Sequence, residues 1–89
     1  MAVEFDPTKD ADNIAKHRVS LARASDFEML AVEPDMRFDY GEERYRAWGL
    51  IDGVFYCLVF TTRDQRIRAI SLRRAHDKEI KRHVSQNRL

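Results

Sequence analysis

Apolar positions along the chain change their spacing several times, and each change marks an element. VEF (3–5) reads as a short edge strand. DPTKDADNIAKHR follows with helix-start chemistry: Asp6 suits an N-cap, and Pro7 suits the first helical position, where a missing N–H costs nothing. Ala11, Ile14 and Ala15 recur at i, i+3, i+4 and predict the inward face, while Lys9, Asn13, Lys16 and His17 fall together on another. Ser20 suits the cap of a second helix over SLARASDFEMLA, with Leu21, Ala24, Phe27 and Ala31 at helical spacing. Glu33-Pro34-Asp35 ends it, because the residue before proline avoids the α region.

From there the period drops to two. MRFDY (36–40) alternates Met36, Phe38 and Tyr40 against Arg37 and Asp39, as a strand does. Gly41-Glu42-Glu43 turns the chain into RYRAWGLI, where Tyr45, Ala47 and Gly49 oppose Arg44, Arg46, Trp48 and Leu50. Asp52-Gly53 is a two-residue hairpin signal. VFYCLVFTT (54–62) is apolar on both faces and predicts the central, most covered strand. Arg63-Asp64-Gln65 reverses the chain into a last strand, RIRAISLRRA (66–75). HDKEIKRHV then reads as a short basic helix beginning near Asp77, with Ile80 and Val84 as its apolar contacts, fraying into SQNRL. Hairpin-linked strands imply an antiparallel sheet. The predicted class is α+β: two N-terminal helices on one face of an antiparallel β-sheet, the other face partly open, and a short C-terminal helix.

The last strand raises the functional question. Arg66, Arg68, Arg73 and Arg74 stand among Ile67, Ile70 and Leu72, and regular alternation leaves neither face polar. A bulge, which the paired Arg73-Arg74 suggests, would shift the register. Arg63 at the strand's entry and Arg44 and Arg46 on a neighbouring strand can join these arginines. Like charges gathered about 5 Å apart repel unless neutralised, and Glu42, Glu43 and Asp64 are the local acids. The net charge is only +1, yet residues 1–62 hold seven Lys/Arg against twelve Asp/Glu, and residues 63–89 hold nine against three. That asymmetry fits a polyanionic partner, or two regions that attract each other. Twelve of the sixteen basic residues are Arg, the side chain that grips phosphate bidentately. Tyr40, Tyr45, Trp48, Phe55 and Tyr56 interleave with them; most must be core, but one or two at the rim could stack an unpaired base.

Eighty-nine residues leave room for one core, so a single domain over 1–89 is expected. No apolar run approaches the ~20 residues that cross a bilayer, and MAVEFDPTKD carries no secretion signal, which predicts a cytoplasmic protein. The single cysteine, Cys57, lies in an apolar run and reads as a buried, inert thiol. His17, His76 and His83 lack metal-ligand spacing, and no phosphate-loop motif is present, so neither metal nor cofactor is expected.

Four segments, FDPTKDADNIAKHRVS (5–20), DYGEERYRAWGLIDG (39–53), LVFTTRDQRIRAISLRRA (58–75) and DKEIKRH (77–83), together resemble the BrnT family of toxins from bacterial toxin–antitoxin pairs. The resemblance implies a RelE-like fold with a basic groove on the sheet, and RNA cleavage that inhibits translation and growth. It also implies a BrnA-like ribbon-helix-helix antitoxin as partner, with operator DNA met only through the pair. The family's recurrent polar positions fall at Lys9, Asn13, Lys16, His17, Arg44, Arg63, Arg68, Ser71, Arg73, Arg74 and Glu79. At position 83, where the resemblance implies a tyrosine, this chain has His83.

Cutting RNA without a metal needs a base for the 2′-OH, an acid for the leaving 5′-oxygen, and cations for the phosphorane. Arg63, Arg68, Arg73 and Arg74 are the candidates for the last task, and His17 and His83 for proton transfer. At a helix end His17 also suits a cap, and His83, four after Glu79, an exposed ion pair. Lys9, Asn13, Lys16, Arg44, Arg46 and Ser71 are expected RNA contacts. The competing expectation is a non-catalytic module that binds nucleic acid or antitoxin in operon autoregulation.

Overall fold

The chain begins with a two-residue strand, β1 (Val3–Glu4), followed by helix α1 (Pro7–His17) and a 3₁₀ helix (Leu21–Asp26). Strands β2 (Glu28–Pro34), β3 (Tyr45–Ile51), β4 (Val54–Arg63) and β5 (Arg66–Arg74) follow, and the chain closes with α2 (Asp77–Glu79), continued as a π-helix over Ile80–Ser85. The structure, a computed structural model, describes residues 2–85; the expected fraying beyond Ser85 lies outside them. The five strands form one sheet in the order β1-β5-β4-β3-β2, with β4 central as its apolar sequence predicts. Strands β2 to β5 pair antiparallel, and β1 joins β5 in parallel. N-terminal helical elements, a mostly antiparallel sheet and a short C-terminal helix make an α+β fold consistent with RelE-like topology.

Local chemistry explains most boundaries. The Asp6 side chain accepts from Thr8 N–H at 2.8 Å, with Pro7 at the first helical position. Asp52-Gly53 and Asp64-Gln65 make the two tight hairpins. Both central residues of each have positive φ, and the second turn achieves this without glycine. Gly49 is needed for close approach: a Cβ there would lie 2.0 Å from the Glu28 carbonyl oxygen and 2.8 Å from the Phe27 ring.

Two expected elements are replaced. The second helix stops at Asp26, and Glu28–Pro34 is edge strand β2 rather than helix. Leu21, Ala24 and Phe27 are buried as predicted, but their spacing of three matches the 3₁₀ repeat, in which side chains i and i+3 eclipse. MRFDY is not a strand: Met36 and Phe38 are exposed, and the segment is an irregular loop folded around the buried carboxylate of Asp35. That carboxylate accepts from Arg37 Nε and Nη2 at 2.8 Å each and from the Tyr40 hydroxyl at 3.1 Å.

The inward face of α1 also differs from the expected one. Ala11, Ile14 and Ala15 face solvent, Ile14 being 44% exposed, whereas Asn13 is 4% exposed. Strand β1 pairs with β5 only at Ile67 and Arg68, leaving the backbone edge at Leu72 open. Asn13 closes it. Its Nδ2 donates to the Leu72 carbonyl at 2.8 Å and its Oδ1 accepts from Leu72 N–H at 3.0 Å. A further bond runs from Nδ2 to the Val19 carbonyl at 2.9 Å. One turn earlier, Asp10 accepts from Leu21 N–H and Ser20 Oγ. The helix is held by polar bonds to backbone edges in place of an apolar stripe.

Two clusters fill the interior. Beneath the N-terminal helices lie Leu21, Ala24, Phe27, Ala47, Ile51, Leu58, Phe60, Ala69 and Leu72. On the opposite face the C-terminal helix covers Ala31, Trp48 and Cys57 with Val84 and Ile80.

Asn13→Ala should destabilise the fold by about 3 kcal/mol in urea unfolding, because buried backbone groups lose their partners. Gly49→Ala should cost roughly 1–3 kcal/mol by overpacking.

Candidate functional site

A bulge sets what the open sheet face presents. Val59 pairs with Ser71 and Phe60 with Ala69, so Ile70 is the extra residue of β5. Before it Ile67 and Ala69 point to the helix-side core; after it Leu72 does. Arg68, Ser71 and Arg73 therefore share the other face, with Arg66 and Arg63 paired opposite each other further along. The expected register shift exists, but at Ile70 rather than at Arg73-Arg74. Arg74 is turned to the helix side, opposite Tyr56, with its guanidinium 6.0 Å from that ring. It is separated from the other candidate arginines by the sheet.

A cleft of about 290 Å³ opens on this face. Its floor is Arg46 from β3, Cys57 and Val59 from β4, and Ile70, Ser71 and Arg73 from β5; the loop adds Asp35, Arg37, Tyr40 and Arg44, and α1 contributes His17. Next to it Lys9, Asp12, Asn13 and Lys16 line a groove of about 160 Å³ that shares His17, Ile70 and Ser71 with the cleft. Of the sequence candidates, His17, Arg44, Arg46, Ser71 and Arg73 meet in the cleft, and Lys9 and Lys16 stand beside it. Asn13 borders the groove but its amide is occupied by backbone, so it positions α1. Arg63 and Arg68 lie toward the far end of the same sheet face. Arg37 and the buried Asp35 were not among the candidates, and Tyr40 was only one of five interleaved aromatics; the strand-like alternation of 36–40 concealed the loop, and only the short Asp35-x-Arg37 spacing hinted at an ion pair.

Most of these arginines already have acids. Arg37 pairs with Asp35 at 2.8 Å, Arg46 with Glu33 at 2.8 Å, and Arg44 with Glu42 at 3.3 Å. Arg63 and Arg68 have longer contacts, 3.5 Å to Glu42 and Glu4. Arg73 is the most tightly held: Nη1 and Nη2 bond both Glu79 oxygens at 2.7 and 2.8 Å. No carboxylate lies within ion-pair distance of Lys9 or Lys16 among the described residues. With Asp12 in the same groove, Lys9 and Lys16 still leave net positive charge at the α1 edge of the cleft.

Glu79 ties the C-terminal helix to the sheet. It also accepts from Trp48 Nε1 at 3.2 Å and from His76 N–H at 2.9 Å, closing a capping box. His83 does not pair with Glu79: its ring stacks on Trp48, centroids 3.6 Å apart, with Nδ1 3.7 Å from Glu33. Burial pushes the Cys57 thiol up to about 11, which leaves it protonated and inert. The Arg37 guanidinium holds the Asp35 carboxyl far below the usual carboxylate range. Among the described residues no three His, Cys, Asp or Glu side chains converge as a metal would need.

Arg73 draws the Glu79 carboxyl from 4.5 down to about 2. A carboxylate depressed by folding stabilises the fold above its ordinary value and loses that contribution as pH falls toward the folded one. Glu79→Gln should therefore be less stable than the parent by about 2–3 kcal/mol above pH ~5. The gap should close as pH falls to about 2, followed by chemical denaturation across that range.

No curated protein matches this chain significantly. The family model for BrnT, the ribonuclease toxin of type II toxin–antitoxin systems, matches residues 5–79. That span takes in α1, the whole of the cleft and the Arg73–Glu79 pair. The chain belongs to the BrnT family of ribonuclease toxins.

Proposed function

We propose that the chain cuts single-stranded RNA in the cleft between α1, the 35–44 loop and the sheet, by attack of a 2′-OH on its own 3′-phosphate without a metal. Family membership supplies ribonuclease toxin activity and a cognate antitoxin. One observation carries it: His17 and the guanidinium groups of Arg37, Arg44, Arg46 and Arg73 line the same cleft. His17, the imidazole of the cleft, takes the 2′-OH proton and returns it to the departing 5′-oxygen as the P–O5′ bond breaks, while the guanidinium groups hold the phosphorane. Their pairing with acids fixes each fork before RNA arrives and leaves donors unspent. Arg44 uses only Nε with Glu42, which leaves its two Nη groups to donate. Ser71 touches the same phosphate, and Lys9 and Lys16 draw the RNA backbone along the neighbouring groove. Arg63 and Arg68 follow the strand further along the sheet. His83, stacked on Trp48, braces the C-terminal helix. The antitoxin is a BrnA-like ribbon-helix-helix protein, operator DNA is met only through the pair, and the toxin acts in the cytoplasm on translation.

The test compares the purified parent with His17→Ala, Arg44→Ala and Arg74→Ala on single-stranded RNA. His17→Ala should lower the cleavage rate about 10²–10⁴-fold while RNA still binds. Arg44→Ala should weaken binding and reduce the slope of log affinity against log salt by about one. Arg74→Ala, on the opposite face, should cut normally. RNA bound but never fragmented by the parent would instead favour the binding module.

A further inference from the structure

A wider pocket of about 580 Å³ adjoins the cleft and shares Asp35, Tyr40 and Arg44 with it. Its chemistry is different. The walls include Met36 and Phe38, which are 85% and 70% exposed, and acids stand at its rim. Asp39 spends one oxygen on Gly41 N–H, and Glu43 spends one on the Tyr45 hydroxyl, so among the described residues each keeps an oxygen free to accept. Carboxylates repel phosphate, and they accept from the N–H groups at base edges. The rings form a continuous ladder from this pocket into the cleft: Phe38 meets Tyr40 edge-on at 5.9 Å, and the Arg44 guanidinium lies 4.2 Å from the centre of the Tyr40 ring.

We infer that this pocket is a nucleobase subsite: an unpaired base of the RNA strand whose phosphate lies in the cleft stacks on Phe38, with its N–H edge toward Asp39 and Glu43. The inference rests on the reading of the cleft as an RNA site. It adds a substrate requirement, because the base must be free of a duplex to enter. A protein partner would also value exposed Phe38 and Met36. Continuity of the ring ladder with the guanidinium cleft, and Asp39 and Glu43 at the rim of the pocket beside exposed Phe38, favour a nucleotide.

The test uses the full chain and short 2′-O-methyl single strands, which lack the attacking hydroxyl, with an abasic residue placed at each position in turn. Dissociation constants are measured by filter binding. At one position the base-bearing strand should bind about tenfold more tightly than its abasic counterpart. Phe38→Ala should erase that difference and leave the abasic affinity unchanged, while Phe38→Tyr, which keeps a ring, should retain it. Phe38 lies in a loop and is exposed, so circular dichroism should show both variants folded. Equal parent affinity for all strands, or equal weakening of both kinds by Phe38→Ala, would overturn the subsite and leave the cleft reading intact. Strands that bind with no salt dependence, or not at all, would overturn the cleft reading and the subsite together. Unchanged RNA affinities combined with lost inhibition by the antitoxin would assign the pocket to the protein partner instead.

Discussion

Strand β5 has a full-length neighbour on one side and only β1 on the other, and Asn13 completes what β1 leaves open. Its amide gives and takes a hydrogen bond at Leu72 as a paired strand residue would. An unpaired buried backbone group costs about as much as a lost hydrogen bond, so this contact decides where α1 lies. Two consequences follow along the same helix face. Asp10, three residues earlier, fixes the start of the 3₁₀ helix through Leu21 N–H and thereby delivers Leu21, Ala24 and Phe27 to the core. His17, four residues later, is carried over Ser71 and into the cleft. Fold and site share one polar face of one helix.

That arrangement explains what the sequence could and could not disclose. The α1 cap, both hairpins, the central strand and the faces of β3 were legible because each depends on local chemistry or strict alternation. The inward face of α1 was not, since periodicity counts apolar side chains and this helix docks through Asp10 and Asn13. The segments 27–34 and 36–40 misled for related reasons. A spacing of three suits both helix types, and the alternation of Met36, Phe38 and Tyr40 belongs to a loop wound around Asp35. Of the positions the family resemblance named, His17, Ser71 and Arg73 line one cleft and Lys9 the groove beside it, yet the resemblance could not separate Arg73 from Arg74, because the bulge at Ile70 and the strand pleat that part them appear only in the pairing register.

The arginines are less exposed as charge than their number suggests. Arg37, Arg44, Arg46 and Arg73 each face a carboxylate from a neighbouring element or turn, so the cleft is a lattice of ion pairs with small net charge. Fixed forks of this kind give direction more than attraction; in the proposed reading the attraction falls to Lys9 and Lys16 at the rim. Such a division suits a site that must admit a polyanion and then hold one phosphate in a set orientation.

The Trp48–His83 stack beneath the C-terminal helix has an optical consequence. The chain holds one tryptophan, so all of its indole emission arises at that seam. The indole N–H is bonded to Glu79 and its face is covered by an imidazole, so any lifting of the helix changes both contacts at once. The molecule carries its own reporter of whether its final turn is seated.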